Sequence, residues 1–577
     1  MRNDQVAEHL TAIADLLELR GESPFRANAY RDVARRIATH PEDVSTLVEE
    51  QRLRTIPGVG ESIAARIAEL IQHGTTQIYE DLTAAIPPGL RELLVVPGLG
   101  PKRIRLLYDT LGIASLHDLQ EAARAGRLRT VPGFGAKMEE RLLRDIGRVL
   151  QRTRRHLLGQ AWPLAEEVAA AVRALPHVER VEIGGSVRRR LETIGDLDLV
   201  VATRQPEAVE RTILDLSLVN QVLEHGPAKV SVVLRFGMQL DVRIIAPDAF
   251  GAAWLHFTGS KDHNIRLREM AIARGLKINE YGMFVEATGE RIAGVTEEEM
   301  YARLGLPWIP PELREDRGEI EAARAGTLPT LITEADVRGD LHVHSDWSDG
   351  GATLEEMVQA ARALGYAFLA ITDHSQARSV AGGLTVERLR AQRAEIAKLN
   401  ERYAPFRVLA GSEVDIRSDG ALDFDDATLA ELDFVVASIH SGFQQPREQI
   451  TKRLLAALAH PAVDLIGHPT GRLIERREGY EFDAEAVIAA AARHGKALEI
   501  NSQPDRLDLR DTLARRAHEA GVLIAVDTDA HSPRHFAALR FGIAQARRAW
   551  LPADAVINTW PLERILAWRR QRLGVLS

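Results

Sequence analysis

At 577 residues the chain is too long for one ordinary core, and its length alone predicts three or four domains. Apolar residues make up 45% and charged residues 27%, the range of a soluble globular protein. The absence of cysteine excludes a disulfide framework and leaves His, Asp and Glu as ligands for any metal, while a net charge of −9, averaged over several domains, neither supports nor excludes a nucleic-acid partner.

The N-terminal stretch MRNDQVAEHLTAIADLL has no apolar segment of signal-peptide length, and no run of about 18 apolar residues occurs further on, so no membrane span and a cytoplasmic location are expected. Apolar spacing near 3.6 in VAEHLTAIADLLEL and SIAARIAELI predicts helices through the first third, with basic clusters at Arg35-Arg36 and from Arg152 to Arg155. This region carries an internal repeat: Ile56-Pro57-Gly58-Val59-Gly60, Val96-Pro97-Gly98-Leu99-Gly100 and Val131-Pro132-Gly133-Phe134-Gly135 each precede a helix-like run. The pattern makes a tight turn that suits glycine and leaves backbone N–H groups free at a helix start, where they can hold a phosphate oxygen without reading sequence. One copy is as readily an ordinary turn. Three in matching context resemble helix-hairpin-helix elements, which implies that Gly58, Gly60, Gly98, Gly100, Gly133 and Gly135 grip a DNA backbone.

From about residue 178 the pattern turns to strands, in VERVEIGGS, DLDLVVA, KVSVVLRF and MQLDVRII. Gly184-Gly185-Ser186-Val187-Arg188-Arg189 is followed by Gly195-Asp196-Leu197-Asp198. Residues i and i+2 of a strand face one side, so Asp196 and Asp198 project together, and Asp241 on another strand completes a three-carboxylate cluster. Such a cluster can hold two divalent cations roughly 3.5–4 Å apart for in-line phosphoryl transfer. The glycine turn brings N–H groups and the Ser186 hydroxyl near a triphosphate, with Arg189 to neutralise its charge.

This combination resembles the nucleotidyltransferase palm of the family X DNA polymerases. The likeness continues through Phe257-Thr258-Gly259-Ser260, Asn264, Arg268 and Ile278-Asn279-Glu280-Tyr281. It implies Mg²⁺ or Mn²⁺ on Asp196, Asp198 and Asp241, with Asp241 on the metal that activates a primer 3′-hydroxyl for attack on a deoxynucleoside triphosphate. It implies a triphosphate on Gly185, Ser186 and Arg189, a sugar against His256, Phe257 and Gly259, Asn264 at the base or minor groove, and Arg268 at the template. Asn28-Ala29-Tyr30-Arg31 and the first glycine turn are similar to the family's DNA-end-binding domain, which implies Arg26 and Tyr30 at a 5′-phosphate. One departure stands out. Where family members with 5′-deoxyribose-phosphate lyase activity carry a Schiff-base lysine, this chain has Arg66, with Ser62 one turn earlier.

A polar, Pro- and Glu-rich connector follows near residues 311 to 336, and then apolar strands alternate with Ala-rich helices: GDLHVHS, AFLAITDH, RVLAGSEVDI, FVVASIHS, VDLIGHP, ALEINSQ and LIAVDTDAH. Seven β-then-α units predict a parallel barrel whose ligands emerge from the C-terminal strand ends. His342, His344, Asp349, His374, Glu413, His440, His468, Asp529 and His531 sit at or just after those ends, a recurrence that ordinary core histidines do not produce. The set resembles the polymerase-and-histidinol-phosphatase (PHP) domain, which implies that these nine residues hold three divalent metals, Zn²⁺, Mn²⁺ or Fe²⁺. Asp349, Glu413 and Asp529 balance only half the charge of three dications, an excess that favours a bound phosphate ester and its hydrolysis. Arg472 and Arg506 are candidates to clamp phosphate or to serve structure, and Asn501 to line the pocket.

The expected architecture is therefore multidomain: a helix-hairpin-helix N-terminal region (1–85 and 86–155), an α+β palm (156–250) and thumb (251–315), a linker (316–336) and a distorted (β/α)7 barrel (337–577). The expected function is gap filling in base excision repair on gapped or nicked DNA, joined to 3′-5′ exonuclease or 3′-end phosphoesterase action by the barrel, in a monomer, with abasic-site cleavage left open. Two alternatives remain open at this point: a DNA-end-binding scaffold with weak polymerase, and a barrel acting as a small-molecule phosphatase. Arginine stays protonated near neutral pH and is a poor amine nucleophile, so lyase activity of the Schiff-base type is expected to be weak or absent. Borohydride trapping on a 5′-deoxyribose-phosphate end should give no adduct; an adduct that Arg66→Ala abolishes would overturn this.

Overall fold

The computed structural model describes residues 3–38, 44–96, 98–153, 155–235 and 237–574; Pro97 of the second glycine turn and Arg154 of the basic cluster lie outside them. The chain divides into two units, Met1–Arg154 and Arg155–Ser577. In the first, the helix Asn3–Leu19 buries Val6, Leu10, Ile13 and Leu17, spaced four, three and four, against the helix Pro24–Ala38. Each glycine turn is anchored by its apolar residues. Ile56 and Val59, Val96 and Leu99, and Val131 and Phe134 are all buried, which leaves the glycines at the surface. Gly58, Gly98 and Gly133 have φ of +87°, +79° and +87°, the left-handed region in which a side chain is strained. Gly60 and Gly100 cap the helices Glu61–His73 and Pro101–Leu111.

In the second unit the helix Leu158–Arg173 packs on a five-stranded sheet. Its strands are β1 (Arg180–Ile183), β2 (Asp196–Ala202), β3 (Val219–Gly226), β4 (Lys229–Leu234) and β5 (Gln239–Ile245), in the order β1-β2-β5-β4-β3. Only β2 and β5 pair in parallel, and their register sets Asp198 beside Asp241. The helices Phe250–Thr258 and Lys261–Ile272 follow, then an antiparallel sheet of β6 (Leu276–Asn279), β7 (Gly282–Val285) and β8 (Arg291–Ala293).

The expected linker is packed structure. It contains the helix Glu319–Ala325, whose Ile320 and Ala323 join the apolar core around Met300 and Tyr301, and Arg314 and Glu319 are fully buried. Beyond it lie seven parallel strands in chain order: β9 (Gly339–Val343), β10 (Phe368–Ile371), β11 (Arg407–Asp415), β12 (Phe434–Ser438), β13 (Leu465–Ile466), β14 (Ala497–Asn501) and β15 (Leu523–Asp527). A parallel bridge between Val343 and Ala530 brings the last strand back to the first, so the barrel nearly closes. Its strands are buried along almost their whole length, as expected of a parallel sheet covered by helices.

The barrel is fused to the palm through a shared core: Leu507, Ala538, Phe541 and Ala544 pack with the palm residues Ala161, Trp162 and Leu197. Trp162 meets Phe541 edge-on at 5.8 Å, and Gly159 lies so close that a Cβ there would fall 2.4 Å from Pro504. Three successive arginines are tied to different partners. Arg188 shares the buried Glu297 carboxylate with Arg314, Arg189 bonds Glu315, and Arg190 lies 3.3 Å over Trp162, whose ring also meets Arg540. Burial opposes ionisation of Glu297, yet Arg314 and Arg188 hold its carboxyl well below the usual range. Glu297→Ala leaves two buried guanidiniums unpaired and should cost about 3–5 kcal/mol in urea unfolding of the intact chain; a loss under about 1 kcal/mol would show that the cluster relaxes or admits water.

Candidate nucleotide site and metal centre

The candidate nucleotide site grows from the contact between β2 and β5. Asp196 and Asp198 share a face of β2, and Asp198 stands opposite Asp241. Gly185, at φ +57°, presses against this cluster: a Cβ there would fall 1.9 Å from Asp198 Oδ2, so only glycine lets the loop lie on the carboxylate. Burial, with Asp196 and Asp241 beside it, pushes the Asp198 carboxyl up to about 8. A carboxylate so crowded by its own kind fits a site designed to hold cations. Gln239 Nε2 donates to Asp241 Oδ1 at 2.9 Å, and Arg243, two residues further along β5, contributes positive charge beside Asp198.

Ser186 lies in the short helix Gly185–Arg188. Arg189 donates to Glu315 at 3.1 Å and to the Thr258 carbonyl, so its charge is shared within the protein rather than presented alone. His256, Asn264 and Arg268 line one cleft with Ile278, and Phe257 stacks its edge on His256. Asn264 Nδ2 donates to the His256 carbonyl at 2.8 Å, which fixes the backbone ahead of Gly259, and Arg268 is exposed. In the N-terminal unit Arg26 is exposed and pairs with Glu22, whereas Tyr30, expected at a DNA end, is 4% exposed within the apolar core. Arg66 pairs with Glu69 at 2.7 Å, and that bond raises its pKa further, which keeps it a cation.

In the barrel the nine expected ligands converge. Glu413, at the C-terminal part of β11, is central. Its oxygens lie 2.8 Å from His374, 2.9 Å from His468, 3.1 Å from His440, 3.5 Å from His342 and 3.6 Å from His344. Asp529 lies 3.1 Å from His344 and Asp349 3.3 Å from His531. Among the described residues, the ligand groups that gather within 4.8 Å are His344, Asp349, His374 and His531; His342, His344 and Asp529; and His374, Glu413 and His440. His468 falls outside these groups but touches Glu413. Two of the nine, His468 and Asp529, have φ of +27° and +50°, backbone that non-glycine residues avoid unless the surroundings impose it.

These residues fit metal. His342 Nε2 and both ring nitrogens of His344 are buried with no aligned hydrogen bond, lone pairs that a cation would satisfy. Burial and the neighbouring His531 and His374 drive His344 down to about 3, so it offers a neutral ring. Two carboxylates absent from the expected set hold the imidazoles from behind. Glu499 accepts from His342 Nδ1 at 2.7 Å, and Asp415 accepts from His440 Nδ1 at 3.0 Å. They add negative charge that a count of Asp349, Glu413 and Asp529 leaves out. The two candidate clamps separate. Arg472 is spent on Glu192 of the palm, at 2.7 and 3.2 Å, while Arg506 stays within 3.9 Å of Asp529. Asn501 Nδ2 donates to Asp529 Oδ2 at 3.0 Å.

A palm with paired aspartates, a thumb and a histidine-lined barrel define a two-site enzyme of phosphoryl-transfer chemistry. Family models match four stretches of the chain: helix-hairpin-helix domain over residues 1–76, SAM-like helix-hairpin-helix tandem over 90–148, DNA polymerase beta thumb over 253–315, and PHP domain over 340–503. The chain is 40% identical over 573 residues, 99% of its length and 100% of the relative's, to the DNA polymerase/3′-5′ exonuclease PolX of Bacillus subtilis (strain 168). It belongs to that family, the family X DNA polymerases with a C-terminal PHP domain. The chain is also 29% identical over 249 residues to a "Probable phosphatase" of Thermoanaerobacter sp. (strain X514), covering 41% of this chain and 96% of that protein. A second "Probable phosphatase", from Edwardsiella ictaluri (strain 93-146), is 30% identical over 248 residues, 40% of this chain and 94% of the relative. Among the described residues no helix is long and apolar enough to cross a membrane.

Metal loading should release protons. Burial lowers His374 and His531, but Glu413 and Asp349 around the first, and Asp349 and Asp529 around the second, raise them to about 10 and about 9. Both therefore carry protons at pH 8 without metal and must lose them to become ligands, so affinity should climb with pH until about 9 to 10. Calorimetry of Zn²⁺ or Mn²⁺ binding to stripped protein, in two buffers of different ionisation enthalpy, measures the count. No release at pH 8 would remove His374 and His531 from the ligand set.

Proposed function

We propose that this polymerase fills short gaps during DNA repair while its barrel trims 3′ ends, the two sites serving one DNA end held by the glycine turns of residues 1–155. The observation that carries the polymerase half is the register of β2 against β5, which sets Asp198 beside Asp241 under the Gly185 turn. Asp196, Asp198 and Asp241 would hold Mg²⁺ or Mn²⁺, and such ions supply charge neutralisation and activation of the primer hydroxyl when bound. The chain's own residues do the rest. Gly185, Ser186 and Arg189 receive the triphosphate, His256 to Gly259 press on the sugar, and Asn264 and Arg268 face the base pair and template. An incoming triphosphate competes with Glu315 for Arg189, which sets part of the nucleotide affinity.

In the barrel, His342, His344, Asp349, His374, Glu413, His440, His468, Asp529 and His531 would hold three divalent cations, Zn²⁺, Mn²⁺ or Fe²⁺, and Glu499 and Asp415 fix the ring orientation of two of the ligands. Arg506 meets the phosphate, because Arg472 is already paired. The identity that runs through both halves of the chain supports this joint reading over a scaffold or a free-standing small-molecule phosphatase.

Asp241→Ala should abolish nucleotide addition on a one-nucleotide gap, in Mg²⁺ and in Mn²⁺, while 3′-5′ degradation of single-stranded DNA continues. His342→Ala should do the reverse. Loss of both activities in either variant would mean that the sites are not separable.

A further inference from the structure

Arg548 ends the helix Leu539–Arg548 of the barrel domain, yet its guanidinium reaches into the polymerase loop. It is 4% exposed. Nη1 donates to the Arg189 carbonyl at 2.8 Å and to Glu315 Oε1 at 2.9 Å, and Nη2 donates to Asp511 Oδ2 at 2.8 Å. Glu315 Oε1 is the same atom that Arg189 Nε donates to, at 3.1 Å. Asp511 is held in turn by Arg317 at 2.9 Å. Charge therefore alternates along Arg189, Glu315, Arg548, Asp511 and Arg317, from the Arg189 loop through the barrel residues Arg548 and Asp511 and back to the segment after the thumb.

We propose that Arg548 is a positioning residue for nucleotide addition: the barrel domain holds the Arg189 loop and draws on the Glu315 charge so that Arg189 keeps positive potential for a triphosphate. The proposal rests on the reading of Arg189 as a triphosphate ligand. Two physical effects act together. The bond to the Arg189 carbonyl fixes the backbone of the turn that carries Gly185 and Ser186. The bond to Glu315 splits one carboxylate between two guanidiniums, so neither is fully neutralised. Without Arg548, Glu315 belongs to Arg189 alone and becomes the stronger competitor of the incoming triphosphate.

Steady-state gap filling by the full-length chain tests this. Arg548→Ala should raise KM for the deoxynucleoside triphosphate about tenfold, the scale of one charge-assisted hydrogen bond, with kcat and exonuclease activity little changed. Arg548→Lys should recover part of the loss. Adding Glu315→Gln to Arg548→Ala should bring KM back towards the parent value, because the competing charge is gone. An unchanged KM in Arg548→Ala, while Arg189→Ala raises it, overturns the proposal and leaves the Arg189 reading intact. An unchanged KM in Arg189→Ala overturns both. A parallel fall of polymerase and exonuclease activity that Glu315→Gln does not relieve assigns Arg548 to structure alone and also overturns it.

Discussion

Three adjacent guanidiniums at residues 188 to 190 impose the constraint around which the second unit is arranged. Each is largely buried, so each must find charge or an aromatic face close by, and one backbone turn cannot supply three partners. Arg188 draws in Glu297 and with it Arg314 and Trp308, which pins the segment after the thumb sheet. Arg190 lies against Trp162, and burial lowers its pKa to about 10. Arg189 takes Glu315, already engaged by the barrel. The residues around the turn at 184–190 thereby decide where thumb and barrel sit, and the candidate nucleotide site shares its bonds with the domain packing.

The barrel answers a related problem with opposite chemistry. Six imidazoles crowd around Glu413, Asp529 and Asp349, and the protein divides them between two protonation habits. His344 and His468, although carboxylates lie beside them, are driven down to about 3 and about 4, by burial first and then by neighbouring cations. His374 and His531, although burial opposes it, are raised by adjacent carboxylates. Metal ions would remove the distinction, because a ligand imidazole is neutral and its carboxylate neighbours are balanced by the ion.

Much of this was readable in the residues, and what was missed has a definable cause. The strand rule that pairs Asp196 with Asp198 reaches further when applied to every functional strand. It leads from Glu413 to Asp415, from Asn501 to Glu499, and from Asp241 to Gln239 and Arg243, all of which touch or flank the sites. The fate of the two candidate clamps lay beyond sequence. Arg472 and Glu192 are 280 positions apart, and only packing of barrel on palm decides that one arginine is structural while Arg506 stays near the ligands. The segment at 311 to 336 misled through composition. Its Glu and Arg residues look solvated in sequence, but Glu312, Arg314 and Glu319 are buried because partners lie on other elements. Tyr30 shows the converse: a motif position expected to face DNA is drawn into the core by its helical spacing with Val33 and Ala27.

The seam of the barrel, where β15 returns to β9, has a thermodynamic meaning of its own. Asp340 and Thr528, 188 positions apart, are hydrogen-bonded across it, and His342 and His344 meet Asp529 and His531 immediately above. A cation held by residues of both sides would act as a staple closing the loop between them. Its binding energy would then also be closure energy for the barrel, in proportion to how little the unfolded chain can bind it. Nuclease competence would in this sense report that the last strand has docked.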